Sequence, residues 1–259
     1  MRIVLTGDHG GRIKDPLTLS SVFAEFSSFV ENAMLTLGEY EKCIENAPRW
    51  DTTGDKHAFC DFAAGGDKNV LAFRVGNKVQ IAKAWTERDE MTAVGEFLLL
   101  FKMLKQDYGF TPEEISGDGD GLGGPMVSRL KELGWPIHDF HGGSAPRFDD
   151  RYADAWTEAW MSGAGKIKTS SIILPNSPEF RAQALSRKTR LGSNGKAKLE
   201  SKKDMKKRNL PSPDEGDAVY GCMMPPNQAM AVQFGGRRPP NWNEMVEDIT
   251  AGRGTTFFQ

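Results

Sequence analysis

What most constrains this chain is the order of its short apolar runs between residues 57 and 140. HAFCDFAA, starting at His57, and VLAFRV, ending at Val75, are separated by the turn-forming GGDKN, and a tight turn at Gly76-Asn77-Lys78 leads into VQIAKAW. Three such runs joined by two short turns predict an antiparallel meander. From Asp89 to Asp107 the residues Met91, Val94, Phe97, Leu98, Phe101, Met103 and Leu104 recur at helical spacing. A short strand follows in PEEISGD, ending at Asp118. Next come a helix from Pro125 to Leu133, stopped by Gly134, and a fifth strand from Trp135 to Phe140. The order β-β-β-α-β-α-β grafts helix-crossover strands onto a meander. It predicts an α/β fold with a mixed β-sheet, antiparallel meander plus parallel strands, flanked by helices.

The flanks are simpler. Ser20 to Leu37 has helical spacing with an aromatic stripe, ended by Gly38, and a second short helix through Glu45 precedes Pro48. Residues 1–56 are therefore expected to be an N-terminal helical segment or linker, with the main domain at 57–224. Within that domain Tyr152, Trp156 and Trp160 mark a helix, Ser177-Pro178-Glu179 opens another, and KTRLGSNGKAKLES predicts a hairpin turning at Asn194-Gly195. Lys202 to Arg208 is a short basic helix, and Ser212 opens the next one. Residues 225–259, with their PP and GG pairs, form a C-terminal tail with one short helix near 241–249.

Apolar residues make up 39% of the chain, enough for a core, and no run approaches the ~18 needed to span a membrane. The first fifteen residues lack a secretory-signal layout. Cys43, Cys60 and Cys222 have no CxxC spacing and cannot all pair, which suits a reducing compartment and opposes a cysteine-rich zinc site. The net charge of −2 conceals an asymmetry: residues 181–208 hold eleven Lys or Arg against Glu200 and Asp204, so this segment is +9 and the remainder −11. A basic arm on an acidic body fits a protein that presents one face to a polyanion.

Four acidic residues at three places stand out. Asp61 interrupts an apolar strand, where an unpaired carboxylate is costly. Asp118 ends the fourth strand just before GDGLGGP. Asp214 and Asp217 lie three apart in SPDEGDAV and share a helix face. If the first and fourth strands are neighbours, these acids meet, and that much negative charge demands a cation. Oxygen-only donors select Mg2+ or Mn2+ over zinc. Two such ions stabilise the attacking water and the leaving oxygen of a phosphodiester displacement. The basic segment would supply affinity for the nucleic-acid backbone.

CDFAAGGDKNVLAFRVGNKV, GDGDGLGGPMVSRLKELGWPIHDFHGG, RYADAWTEAW and SNGKAKLESKKDMKKRNLPSPDEGDAV, in that order, resemble the C-terminal nuclease domain of the large terminase subunit of tailed bacteriophages. The resemblance covers roughly two thirds of the chain. It implies an RNase H-like (retroviral-integrase-like) fold and a two-metal endonuclease that cuts concatemeric double-stranded viral DNA. By motif, Asp61 and Asp118 would be strand-borne metal ligands and Asp217 the helix-borne one, all three catalytic. Asp214 would share the second metal, and Asp67 would be a supporting acid or a turn cap. Arg187, Lys188, Arg190, Lys196, Lys198, Lys202 and Lys203 would touch DNA beside the active site. The resemblance further implies a viral protein acting in the host cytoplasm at the procapsid portal, with the terminase ATPase domain and the small terminase subunit as partners and no membrane association.

The chain departs from the family's usual large subunit in having no P-loop ATPase motif: TGDHGGRIKD lacks the lysine and hydroxyl that hold phosphate and Mg2+. Residues 1–56 would then be a remnant of an ATPase domain or its linker, in a fragment, a split gene or a stand-alone nuclease. A non-catalytic DNA-binding or assembly module, and a junction resolvase or ribonuclease on the same fold, are the alternatives. Two further possibilities weigh less: His57 could assist proton transfer but reads better as a polar residue opening a strand, and His138 with His141 lacks the third ligand of a zinc site.

Overall fold

A computed structural model of the chain describes residues 32–192 and 195–225. The anticipated helix from Ser20 lies outside them except for its last residues, as does the tail beyond Pro225. What is described of that first helix is not helical. Leu37 instead begins helix α1 (Leu37–Glu45), because Thr36 caps it: Thr36 Oγ1 accepts from Glu39 N, and the Glu39 carboxylate accepts from Thr36 N at 2.8 Å.

Strands β1 (Lys56–Asp61), β2 (Asn69–Val75) and β3 (Lys78–Trp85) form the expected meander. Gly76 at the first position of the two-residue β2–β3 loop has φ +57°, as a tight II′-type hairpin turn requires, and a side chain there would strike the Asp51 carbonyl. Helix α2 (Glu90–Tyr108) starts where Asp89 Oδ1 accepts from Thr92 N at 2.6 Å and stops at left-handed Gly109. A 3-10 turn over Pro112–Glu114 takes the first half of the anticipated fourth strand, leaving β4 as Ile115–Asp118. Helix α3 (Gly123–Glu132) follows. Strand β5 (His138–Phe140) is half its expected length, since Trp135 and Pro136 continue the turn out of α3 rather than pair.

The sheet order is β3-β2-β1-β4-β5, with β1 parallel to β4 and β4 parallel to β5. Helices α4 (Ala155–Lys168), α5 (Pro178–Ser186), α6 (Lys202–Lys207) and α7 (Asp214–Cys222) complete the domain, with a two-stranded hairpin of β6 (Thr189–Leu191) and β7 (Ala197–Leu199). The hairpin turn at Asn194 lies outside the described residues.

Strand period two divides the core into two layers. Ala58, Cys60, Leu71 and Phe73 face α2 and α3, packing with Phe97, Phe101, Met126 and Leu130. Phe59, Val70 and Ala72 face the other way, onto Trp160 of α4, Phe180 of α5 and Tyr220 of α7, with Leu35, Tyr40 and Cys43 in the same layer. Truncating a buried aromatic such as Phe59 or Trp160 should cost about 3–5 kcal/mol. With helices on both faces, the central strands β1 and β2 read as nearly unbroken apolar runs. Asp61, in phase with Phe59, therefore faces α7. No helix among the described residues is long and apolar enough to cross a membrane.

Candidate metal centre

Asp61 is the last residue of β1 and Asp118 the last of β4, and the two strands are paired through Cys60 and Gly117, one residue before each acid. Parallel neighbours therefore deliver both carboxylates to the same sheet edge, on the α7 face. Helix α7 comes close because it carries glycine at its contact points. A Cβ at Gly221 would lie 2.4 Å from the Phe59 ring, and one at Gly216 would lie 2.6 Å from the Trp160 ring. Its first turns place Asp214 and Asp217 over the strand ends.

The electrostatics show that the four acids share one environment. Asp61 is buried, and its carboxyl is pushed well above the usual range by burial and by the charges of Asp217, Asp214 and Asp118, against the pull of Lys202. Burial raises Asp118 to about 6, opposed by the Asp120 backbone N–H and by Lys202. Burial also raises Asp214, although Ser212 and the Lys68 backbone N–H, 2.8 Å from Asp214 Oδ2, oppose it. Asp217 goes the other way. Although it is buried, the cations Lys202 and Arg187 hold its carboxyl below the usual range. Its Oδ1 accepts from Trp160 Nε1 at 2.9 Å and from Arg187 Nη1 at 2.7 Å, and its Oδ2 lies 2.8 Å from Lys202 Nζ. The Lys202 pKa is raised: burial opposes its charge, and Asp217 and Asp61 outweigh that penalty.

Four carboxylates thus face two cations, Lys202 and Arg187. Burial, with the neighbouring acids adding to it, holds three of the four above their normal pKa. All-oxygen donors with unrelieved charge are the chemistry a hard dication satisfies, so these residues fit Mg2+ or Mn2+. The fit is one of composition and placement: among the described residues no three His, Cys, Asp or Glu side chains are gathered closely enough to hold an ion as they stand. Bare carboxylates repel, and the Lys202 ammonium is the counter-charge they share.

The remaining sites sort differently. Asp67 is exposed on the β1–β2 connection and acts on Asp214 only through its charge. Arg187 is not on the basic surface: it is 4% exposed, its guanidinium stacks 4.4 Å from the Trp160 ring centroid, and it donates to Asp217 and to the Glu200 carbonyl. It is an internal counter-ion, which a count of basic residues could not reveal. Arg190, Lys198, Lys202 and Lys203 are exposed, and Lys188 and Lys196 partly so. Arg190 and Lys198 are directly opposed across the β6–β7 ladder, an arrangement of like charges that weakens a hairpin. Sequence inspection passed over Trp160 and Gln183 as site residues; Trp160 holds Asp217, and Gln183 Oε1 accepts from Gly216 N at 2.7 Å. His57 lies buried at the far end of β1, away from the acids.

No family model and no curated protein matches the sequence. Solved structures do match the fold. The nuclease domain of the large terminase subunit gp2 of bacterial virus Sf6 superposes with a TM-score of 0.60 at 19% identity, over 72% of this chain and 97% of that one. A point variant of that domain with manganese and beta-thujaplicinol gives 0.60 at 20% identity over the same shares. A third structure, a variant with calcium, gives 0.59 at 20% identity, over 71% of this chain and 97% of that one. The chain has the RNase H-like fold of phage terminase nuclease domains.

Proposed function

We propose that this chain is the metal-dependent endonuclease of a phage DNA-packaging terminase large subunit, hydrolysing phosphodiesters of double-stranded DNA. One observation carries the proposal: Asp61, Asp118, Asp214 and Asp217, spread over 157 positions of sequence, reach one sheet edge from three elements and perturb one another's acidity there. Perturbed carboxylates at the carboxyl ends of parallel strands are where such folds place chemistry. Bound Mg2+ or Mn2+ ions, two by analogy with two-metal phosphoryl chemistry, would neutralise charge on the reacting phosphate and activate water.

The chain's own residues divide the remaining work. Asp61 and Asp118 project from rigid strands, so their separation is fixed by the sheet. Asp217 is oriented by Trp160 and Arg187, and Asp214 by the Lys68 amide. Outside the acid edge, Arg190, Lys198 and Lys203, with Lys188 and Lys196, would hold the DNA backbone through phosphates, giving affinity without base selection. The opposed pair Arg190 and Lys198 supports this, since a hairpin that tolerates such repulsion gains if a polyanion relieves it. In this reading the ATPase domain, small subunit and portal of the packaging machine would be partners, in the host cytoplasm.

The test is supercoiled plasmid with Mn2+ or with EDTA. Cleavage should require the metal and fall ~100-fold or more in Asp61→Ala and Asp118→Ala. If Asp61→Ala cuts as well as the parent, the site is elsewhere. Binding without cleavage in Mn2+ would instead indicate a non-catalytic DNA-binding module.

A further inference from the structure

Helix α7 carries two of the four acids, while the other two sit on strands. A helix rises 1.5 Å per residue, so a slip of one residue along its axis would part Asp214 and Asp217 from Asp61 and Asp118. The last carbonyls of a helix lack intrahelical partners and are where its end can be fastened. Here the last carbonyl of α7 and the two that follow it each receive a donor from a different element. Arg74 Nε of β2 donates to the Cys222 carbonyl at 3.2 Å, Lys166 Nζ of α4 to the Met223 carbonyl at 2.6 Å, and His57 Nδ1 of β1 contacts the Met224 carbonyl at 2.6 Å. Arg74 is itself rooted, its Nη1 donating to the Asp55 and Gly76 carbonyls.

His57 does more than close the row. Its Nε2 lies 2.9 Å from Ser116 Oγ on β4, two residues before Asp118, while its own strand carries Asp61 four residues on. A carbonyl only accepts, so Nδ1 bears the proton, and Nε2 then accepts from the Ser116 hydroxyl. One buried imidazole on β1 therefore ties β4 to the chain just past the end of α7. We propose that His57, with Arg74 and Lys166, is a positioning device that fixes α7 axially against β1 and β4 and so sets the spacing of Asp214 and Asp217 from Asp61 and Asp118. Burial keeps His57 neutral, with its pKa lowered to about 3, so the tautomer and both hydrogen bonds persist at working pH. Cationic or polar donors at a helix carboxyl end also oppose its partial negative charge.

The inference rests on the proposed nuclease site, and its test is chosen to stand apart from that proposal. The Trp160 indole N–H donates to Asp217 Oδ1, so its cross-peak in a 15N–1H spectrum reports where α7 holds Asp217 without any metal present. His57→Phe and Lys166→Met should each move this cross-peak in EDTA and weaken Mn2+ binding, by calorimetry, about tenfold. Lys166→Arg should restore both. Phe110→Leu, a packing change in the other core layer, should lower the melting temperature yet leave cross-peak and affinity unchanged. The proposal is overturned if folded His57→Phe and Lys166→Met leave the cross-peak in place, or if Phe110→Leu reproduces their effects at equal loss of melting temperature. Should His57→Phe not fold, the Lys166 pair decides alone. If the parent binds no Mn2+, the nuclease proposal fails, while the metal-free cross-peak still decides the positioning.

Discussion

At the residue scale the most informative side chain is Lys202. Its charge acts on all four acids, and it sits 2.8 Å from Asp217 Oδ2 while half-exposed to solvent. Its ammonium stands where incoming positive charge would be repelled. A divalent ion ~6 Å from a monovalent cation is opposed by about 1.4 kcal/mol even at the dielectric of water, a factor of ten in affinity. Lys202→Met, which keeps the stem and removes the charge, should therefore tighten Mn2+ binding about tenfold in a calorimetric titration. An unchanged affinity would place the ion remote from this lysine. Asp61 and Asp118 were legible in the sequence because a carboxylate inside an apolar run, or at its end, needs a reason. The inward turn of Arg187 was not. It depends on Trp160 and Asp217, 27 and 30 positions away, and a basic stretch looks the same whether its members face water or the core. His57 was equally opaque, since its partners Ser116 and Met224 are 59 and 167 positions away.

At the scale of elements, the meander was readable from its turn chemistry, whereas the pairing of β1 with β4 was only a supposition until the sheet order was known. Boundaries were less readable than the meander. Leu37 looks like the end of one helix but begins another, because the Thr36 cap outranks the apolar period. Pro112 looks like the start of a strand but opens a 3-10 turn, with proline in its first position. The hairpin was visible as a pattern, though the pairing of Arg190 with Lys198 needed the register. That pairing carries a test. If both contact phosphates, the double variant Arg190→Glu/Lys198→Glu should bind duplex DNA more weakly, with a salt-dependence slope smaller by about 2, at ~0.9 per phosphate contact. Fluorescence anisotropy at several salt concentrations measures it. A weaker complex with an unaltered slope would move the DNA path off this hairpin.

For the whole molecule, the two ends of β1 pull stability in opposite directions with pH. At one end His57 has its folded pKa lowered to about 3 from an ordinary 6.5, so the unfolded chain binds more protons in between and stability rises with pH across that window. At the other end burial raises Asp61 well above its ordinary value, and Asp118, at the end of neighbouring β4, is raised to about 6 from 3.8. There the folded state binds more protons, and stability falls as pH rises from about 4 to about 6. At 1.36 kcal/mol per pKa unit the histidine is worth a few kcal/mol, and Asp118, discounted for its partial exposure, about 2. In EDTA Asp118 alone offsets most of the histidine's rise and Asp61 adds to the fall, so stability from urea unfolding should decrease between pH 4 and 6. Asp118→Asn removes its own part of the falling component and leaves that of Asp61. Its metal-free stability should fall less steeply with pH over that range than the parent's and exceed it by about 2 kcal/mol at pH 7. Mn2+ should turn the parent's fall into a climb, because bound positive charge keeps the acids ionised while leaving His57 untouched. An Asp118→Asn protein that is less stable than the parent at neutral pH would mean that the acid edge is already neutralised by its own lysine and arginine, and that the fold holds no surplus charge for a dication to relieve.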